Sequence, residues 1–264
     1  MLGHLKTVKI LAKFIVCLAV VWPTFANARV DRLEILSRTP FADGFEFGPA
    51  GAYERIKGRL HFAIDPADPA NTPIVDIHLA PVDLRGLITF SAEFILLKPA
   101  DPSLGNGRLL YDVNNRGSLT ALGSLNNARW SNDPTDLADA GNGFLMFLGY
   151  SYLSSAWNWD VTTGDDRLQI DLPIARENST TITGPVAAEI TVDEVTDAAP
   201  FAWGFSRGYE PASADHTLAT LTRRLNPDDP RQVIPHDQWR ISGPTEVTLD
   251  GGFQPGLLYE LLYP

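Results

Sequence analysis

Leu109-Leu110-Tyr111-Asp112-Val113 is a compact apolar run that passes straight into Asn114-Asn115-Arg116-Gly117, and a second such run follows at Tyr150-Ser151-Tyr152-Leu153-Ser154-Ser155-Ala156-Trp157. Between them lies the strongest helix pattern in the chain. Asp133 can cap, Pro134 suits the first helical position, and Asp136 suits the positive first turn. Leu137, Phe144, Leu145 and Leu148 follow at helical spacing, and Gly149 can end the helix. Gly141 and Gly143 each weaken it by about 1 kcal/mol relative to alanine, so close packing on a sheet has to compensate. Strand, helix and strand in this order make a crossover unit, and a crossover implies a parallel strand pair. The spacing predicts a helix over 133–149 and an α/β core.

Outside this unit the texture is short and β-rich. Twenty prolines and twenty-one glycines cut the chain into brief pieces, which favours many strands and few helices. Arg32–Ser37 reads as a first strand and 53–64 as a second, with Leu60, Phe62 and Ile64 on one face. After the turn chemistry of Asp65 to Asn71, Val75, Ile77 and Leu79 alternate with Asp76 and His78. Phe90, Ala92, Phe94 and Leu96 alternate with Ser91 and Glu93, so the pattern predicts an antiparallel meander. Beyond Arg167, strands are expected at 168–172, 186–192, 247–249 and 257–262. Residues 197–239 read as a long irregular region rich in Pro, Asp and Ser.

The first 28 residues have the pattern of an export signal. His4, Lys6, Lys9 and Lys13 precede the apolar stretch from Phe14 to Trp22, Pro23 breaks it, and Ala26-Asn27-Ala28 offers the small residues of a cleavage site. The stretch is short for an uncleaved anchor, and Val16 is too bulky beside Cys17 for a lipoprotein signal. Cleavage after Ala28 would remove three lysines and move the formal charge from −11 to −14. It would also remove Cys17, the only cysteine, leaving no disulfide, thiol nucleophile or thiolate metal site. A periplasmic or secreted location is expected, with no stable membrane anchor after cleavage. An acidic chain without clustered Lys and Arg is a poor match for nucleic acid or anionic membrane.

Few motifs carry chemistry. Gly204-Phe205-Ser206-Arg207-Gly208 spells the G-x-S-x-G of a nucleophile elbow, which requires a buried strand before the serine and a helix after it. Asp197 to Trp203 is not a β-branched strand, and Pro211 interrupts any helix after Tyr209, so Ser206 is disfavoured as a nucleophile. His216, His236 and several aspartates complete a Ser…Asp…His order only on paper. The histidines His61, His78, His216 and His236 lack metal-binding spacing, and the Asp-rich turns lack a calcium-loop pattern, so neither metal nor cofactor is expected. Trp157 and Trp159 flank Asn158 past a strand end, while Trp130, Trp203 and Trp239 lie in loop-like segments; such residues stack on sugar rings or, more commonly, lid a core. Asn114, Asn115, Arg116 and Gly117 follow a buried strand, where N–H donors can meet a developing oxyanion, although the same residues also suit a tight turn.

Three stretches carry a family resemblance: Phe45-Glu46-Phe47-Gly48-Pro49-Ala50-Gly51-Ala52-Tyr53-Glu54, Tyr111 to Gly117, and Asp139-Ala140-Gly141-Asn142-Gly143-Phe144-Leu145. They resemble a family of large, poorly characterised bacterial proteins known as alpha/beta hydrolase domain-containing proteins. The resemblance runs from Arg29 to the end and includes Pro235-His236-Asp237-Gln238-Trp239 and Gly256 to Tyr263. It implies a signal at 1–28, the first half of an α/β-hydrolase sheet over 29–166, a β-rich insertion over 167–250, and a return to that sheet over 251–264. It also implies that the nucleophile, acid and histidine lie after Pro264, so this portion of a serine esterase-like protein is expected to be inactive alone and to meet a small ester-like substrate only when completed. The other reading is a stand-alone secreted β-rich binding or accessory module.

Overall fold

The computed structural model describes residues 29–264 apart from Trp203, Phe205 and Ala214, so the segment expected to be an export signal, with Ala26 and Ala28, lies outside the described residues. Strands β1 (Arg29–Pro40), β2 (Tyr53–Ile64) and β3 (Ile88–Pro99) form the expected antiparallel meander. β4 (Leu109–Asp112) and β5 (Ser151–Ser155) pair in parallel, as the crossover requires, and β5 runs antiparallel to β3. The short β6 (Ile170–Asp171) also pairs with β3, which completes a six-stranded mixed sheet in the order β1-β2-β3-β5-β4 with β6 beside β3. The chain is β-rich with few, short helices.

The crossover is not one helix. α1 (Ala121–Asn126) arises in a segment with no clear periodicity, and the 133–149 pattern breaks into α2 (Leu137–Ala140) and α3 (Phe144–Phe147). The cap of α2 is Asp136 rather than Asp133, in a reciprocal capping box with Asp139. Gly141 takes φ +58°, and a Cβ there would lie 2.2 Å from the Asn126 carbonyl oxygen. The glycine therefore breaks the helix so that two backbones can touch. Asn126, fully buried, ties the segments together: its amide donates to the Ala140 carbonyl at 3.1 Å and accepts from the Leu145 N–H at 3.1 Å.

Strand register assigns the faces of the sheet. Leu97, Tyr152 and Leu110 lie in one row and pack with Leu122, Ala140, Leu145 and Met146 beneath the helices. Tyr53 joins this core and donates to the Met146 and Tyr150 carbonyls at 3.1 and 2.9 Å. On the opposite face Gly58 lies under Phe94, where a Cβ would come within 2.0 Å of the Glu34 carbonyl oxygen. Leu33 and Ile35 of β1 and Leu109 and Tyr111 of β4 stand exposed on that second face. Val75 to Leu79 is not a strand; Asp76 is left-handed and Ile77–Leu79 is a single 3-10 turn.

A second core occupies the C-terminal part. After the hairpin β7 (Arg176–Glu177) and β8 (Thr180–Thr181) come β9 (Val186–Ile190), β10 (Thr196–Pro200), β11 (Thr220–Arg224), β12 (Gln232–Val233), β13 (Trp239–Gly243), β14 (Glu246–Phe253) and β15 (Leu258–Tyr263). They form two antiparallel sheets, β10-β14-β13 and β12-β11-β15-β9. Leu221, Val247, Phe253, Tyr259 and Leu261 are buried between them. The region 197–239, expected to be irregular, thus holds β11 and β12 and most of β10. Residues 251–264 were expected to rejoin the first sheet; β15 instead bonds to β9 and β11. Among the described residues no helix is long and apolar enough to cross a membrane.

Candidate functional site

The carboxyl ends of β4 and β5 lie side by side, because the two strands are parallel and in register from Leu109–Ser151 to Asp112–Ser154. In open α/β sheets this end of the parallel strands is where ligands bind. Asp112, the last residue of β4, is buried and accepts four hydrogen bonds: from the Thr120 N–H at 2.9 Å, the Thr120 hydroxyl at 2.8 Å, the Ala121 N–H at 3.1 Å and the Tyr152 hydroxyl at 2.7 Å. It therefore caps α1 and clamps β4 to β5. Burial and the adjacent Asp112 carboxylate push the Tyr152 hydroxyl pKa far above its ordinary value, so Tyr152 remains a donor.

The loop after β4 is held just as tightly. Asn114 is buried; its amide donates to Ser154 Oγ at 3.0 Å and the Ser155 carbonyl at 2.7 Å, and its Oδ1 accepts from the Gly117 N–H at 3.0 Å. The Asn115 N–H goes to the Ser118 carbonyl at 3.1 Å, and Ser118 returns a bond to Asn115. The N–H groups of Asn115 and Gly117 are thus engaged inside the loop, which has the tight-turn geometry with Arg116 at φ +51° and Gly117 at φ +74°. A Cβ at Gly117 would meet the Leu168 carbonyl oxygen at 2.6 Å, so only glycine fits.

Arg116 points out of this turn to Asp160, beyond β5, with Nη1 to Oδ1 at 2.9 Å. The second carboxylate oxygen of Asp160 accepts from the Ser206 hydroxyl at 2.6 Å. Ser206 also bridges Val161 in an isolated antiparallel contact, and Arg207 donates to the Asp160 and Val161 carbonyls at 2.6 and 2.7 Å. Ser206 and Arg207 are therefore laid strand-like along 160–161, and residues 207–213 form no helix.

The histidines lie elsewhere. His216 and His236, isolated in sequence, meet around Trp239 with ring centroids 6.1 Å apart. Their Nε2 atoms lie 3.2 and 2.8 Å from the His236 and Ala219 carbonyl oxygens. His61 sits on the polar face of the meander, where its Nε2 contacts both Glu34 and Arg32 at 2.7 Å; His78 falls in the 3-10 turn, not on a strand. Among the described residues no group of three or more His, Cys, Asp or Glu is placed to hold a metal ion. Trp239 is a core residue, Trp203 lies outside the described residues, and Trp157, Trp159 and Trp130 are exposed. No family model, no curated protein and no solved structure matches the chain.

Asp160 was missed in the sequence. The carboxylate joins the site only because the strap carrying Ser206, 46 residues away, folds back onto it. The one local hint was the position of Trp159-Asp160 just past a strand that ends in a parallel pair.

Proposed function

We propose that this chain is part of an exported α/β-hydrolase-type protein, serves the ligand-binding side of its chemistry, and carries no serine nucleophile of its own. The observation that supports this most is the bonding of Ser206. A serine nucleophile passes its proton to an imidazole that is held by an acid. Ser206 donates instead to a carboxylate already engaged by Arg116, and among the described residues no histidine hydrogen-bonds to Ser206 or Asp160. The parallel β4–β5 pair supports the α/β part of the reading, and the loops at its carboxyl end supply a ligand-facing edge.

Treating purified 29–264 with a fluorophosphonate probe tests the claim. No stoichiometric labelling of Ser206 and no ester turnover are expected, and Ser206→Ala should change neither. Labelling that disappears in the alanine variant would refute it. The export part is checked by sequencing the protein recovered outside the cytoplasm, which should begin at Arg29. A second reading, a stand-alone secreted binding module, is favoured by the exposed aromatic side chains at the same edge. A monodisperse 29–264 that unfolds cooperatively and binds little hydrophobic dye would decide for that reading.

A further inference from the structure

Beside the Arg116–Asp160–Ser206 cluster, three aromatic side chains face solvent: Trp157 is 52 % exposed, Trp159 42 % and Tyr209 55 %. They are not loosely held. The Trp157 indole N–H donates to the Asn114 carbonyl at 2.8 Å, which orients the ring from the rigid loop after β4. Trp159 and Tyr209 brace each other, with centroids 4.8 Å apart and planes tilted by 42°. Rigid, preoriented aromatic faces left in water are costly unless something covers them.

Asn158 lies between the two tryptophans, and its side-chain Oδ1 is buried without a hydrogen-bond partner among the described residues. Buried acceptors are nearly always paired, so an orphan beside exposed rings gains a partner if the side chain turns outward to an incoming donor. Charge narrows the choice of ligand. The Arg116 guanidinium is matched by Asp160, the Arg207 guanidinium is engaged by the Val161 carbonyl and the Gln169 side-chain oxygen, and the chain is acidic overall, so these surroundings disfavour an anion. The required ligand is neutral, with an apolar face to stack on a ring and hydroxyl donors around its rim. That combination describes a sugar ring.

We infer that Trp157, Trp159 and Tyr209, with the Asn158 side chain between the tryptophans, form a binding platform for a neutral carbohydrate. The inference rests on the ligand-facing edge proposed at β4–β5, and not on the lack of a nucleophile. Stacking supplies affinity, and the Asn158 acceptor selects for a hydroxyl at one position.

The test is titration of the full 29–264 chain with neutral gluco-, xylo- and manno-oligosaccharides, followed by indole fluorescence and calorimetry. At least one should bind with a Kd no weaker than the millimolar range and shift indole emission. Trp159→Ala and Tyr209→Ala should each weaken binding by about tenfold, the worth of one good ring contact. Asn158→Ala should weaken it while leaving the thermal transition unchanged or higher, because it removes an unpaired buried acceptor. Using two exposed aromatic variants guards against one that misfolds. No response to any oligosaccharide at about 10 mM, well above the millimolar range, would overturn the inference. Binding that survives both aromatic substitutions would overturn it too. Labelling of Ser206 would refute the nucleophile-free reading and leave this titration to decide its own question.

Discussion

Replacing Asp112 should separate the value of its acceptors from the value of its charge. Asp112→Ala removes the only carboxylate that receives the Thr120 N–H, Thr120 hydroxyl, Ala121 N–H and Tyr152 hydroxyl. The Tyr152 hydroxyl sits on a fully buried ring, and the two N–H groups belong to the otherwise uncapped first turn of α1. A buried donor left without a partner costs about 1–3 kcal/mol, and loss of a cap about 1 kcal/mol. The Thr120 hydroxyl can rotate to another acceptor or to water, so the three remaining donors set the cost at about 3–9 kcal/mol. This approaches the whole stability of an ordinary domain. Asp112→Asn keeps one carbonyl oxygen, which can take the Oδ2 position with its three donors, while the Thr120 hydroxyl turns to accept from the amide. Only charge assistance is lost, about 1–2 kcal/mol. Urea unfolding followed by circular dichroism gives both values. With a slope of about 2 kcal/mol per molar, the alanine variant should shift the midpoint by about 1.5–4.5 M and the asparagine variant by under about 1 M. The core around Leu221 and Phe253 should melt as in the parent chain. An alanine variant within about 1 kcal/mol of the parent would refute the clamp. Equal losses in both variants would show that charge, not acceptor count, holds the site together.

Other consequences can be measured on the same protein. Burial pushes the Asp139 carboxyl pKa up, but Arg129 and the Thr135 and Asp136 N–H groups outweigh it and hold it below the ordinary value. Its stabilisation is therefore complete above the usual carboxylate range and lost as pH falls through the folded-state value. The stability gap between the parent and Asp139→Asn should close in acid, and a gap independent of pH would contradict this. Gly58→Ala forces a Cβ against the Glu34 backbone oxygen and the Phe94 ring, so it should cost at least about 2 kcal/mol in thermal or urea melts. An unchanged midpoint would mean that β1 yields. The apolar face bearing Leu33 and Tyr111 should bind hydrophobic dye and promote self-association. Leu33→Lys with Tyr111→Lys should reduce both in sedimentation and dye titration, and no change would place the sticky surface elsewhere.

Strand identity was legible wherever alternation is local. Residues 53–64 form β2 as expected, 186–192 contains β9, and the strand–helix–strand order around Leu109 and Tyr150 foretold the parallel β4–β5 pair. Each of these readings depends on side chains a few positions apart. The partner of a strand is a different matter. β10 and β11 carry too few apolar residues to announce themselves, and they exist because β14 and β15 supply their hydrogen bonds. Likewise β15 has an apolar pattern that suits either core, and only its register against Ile190 and Leu221 decides which. The 133–149 pattern is helical in period, yet the close approach of Gly141 to Asn126 breaks it into two turns. The site divides in the same way. The Asn114–Gly117 segment suited either an oxyanion loop or a tight turn in the sequence, and the turn was one of the two because its bonds close within a few residues. The pairing of Arg116 with Asp160, and of Asp160 with Ser206, spans 44 and 46 residues and arises only when separate elements pack. Sequence determines what a segment can become through its periodicity and turn chemistry; tertiary structure chooses among those states, because burial and hydrogen-bond pairing depend on residues that are distant along the chain.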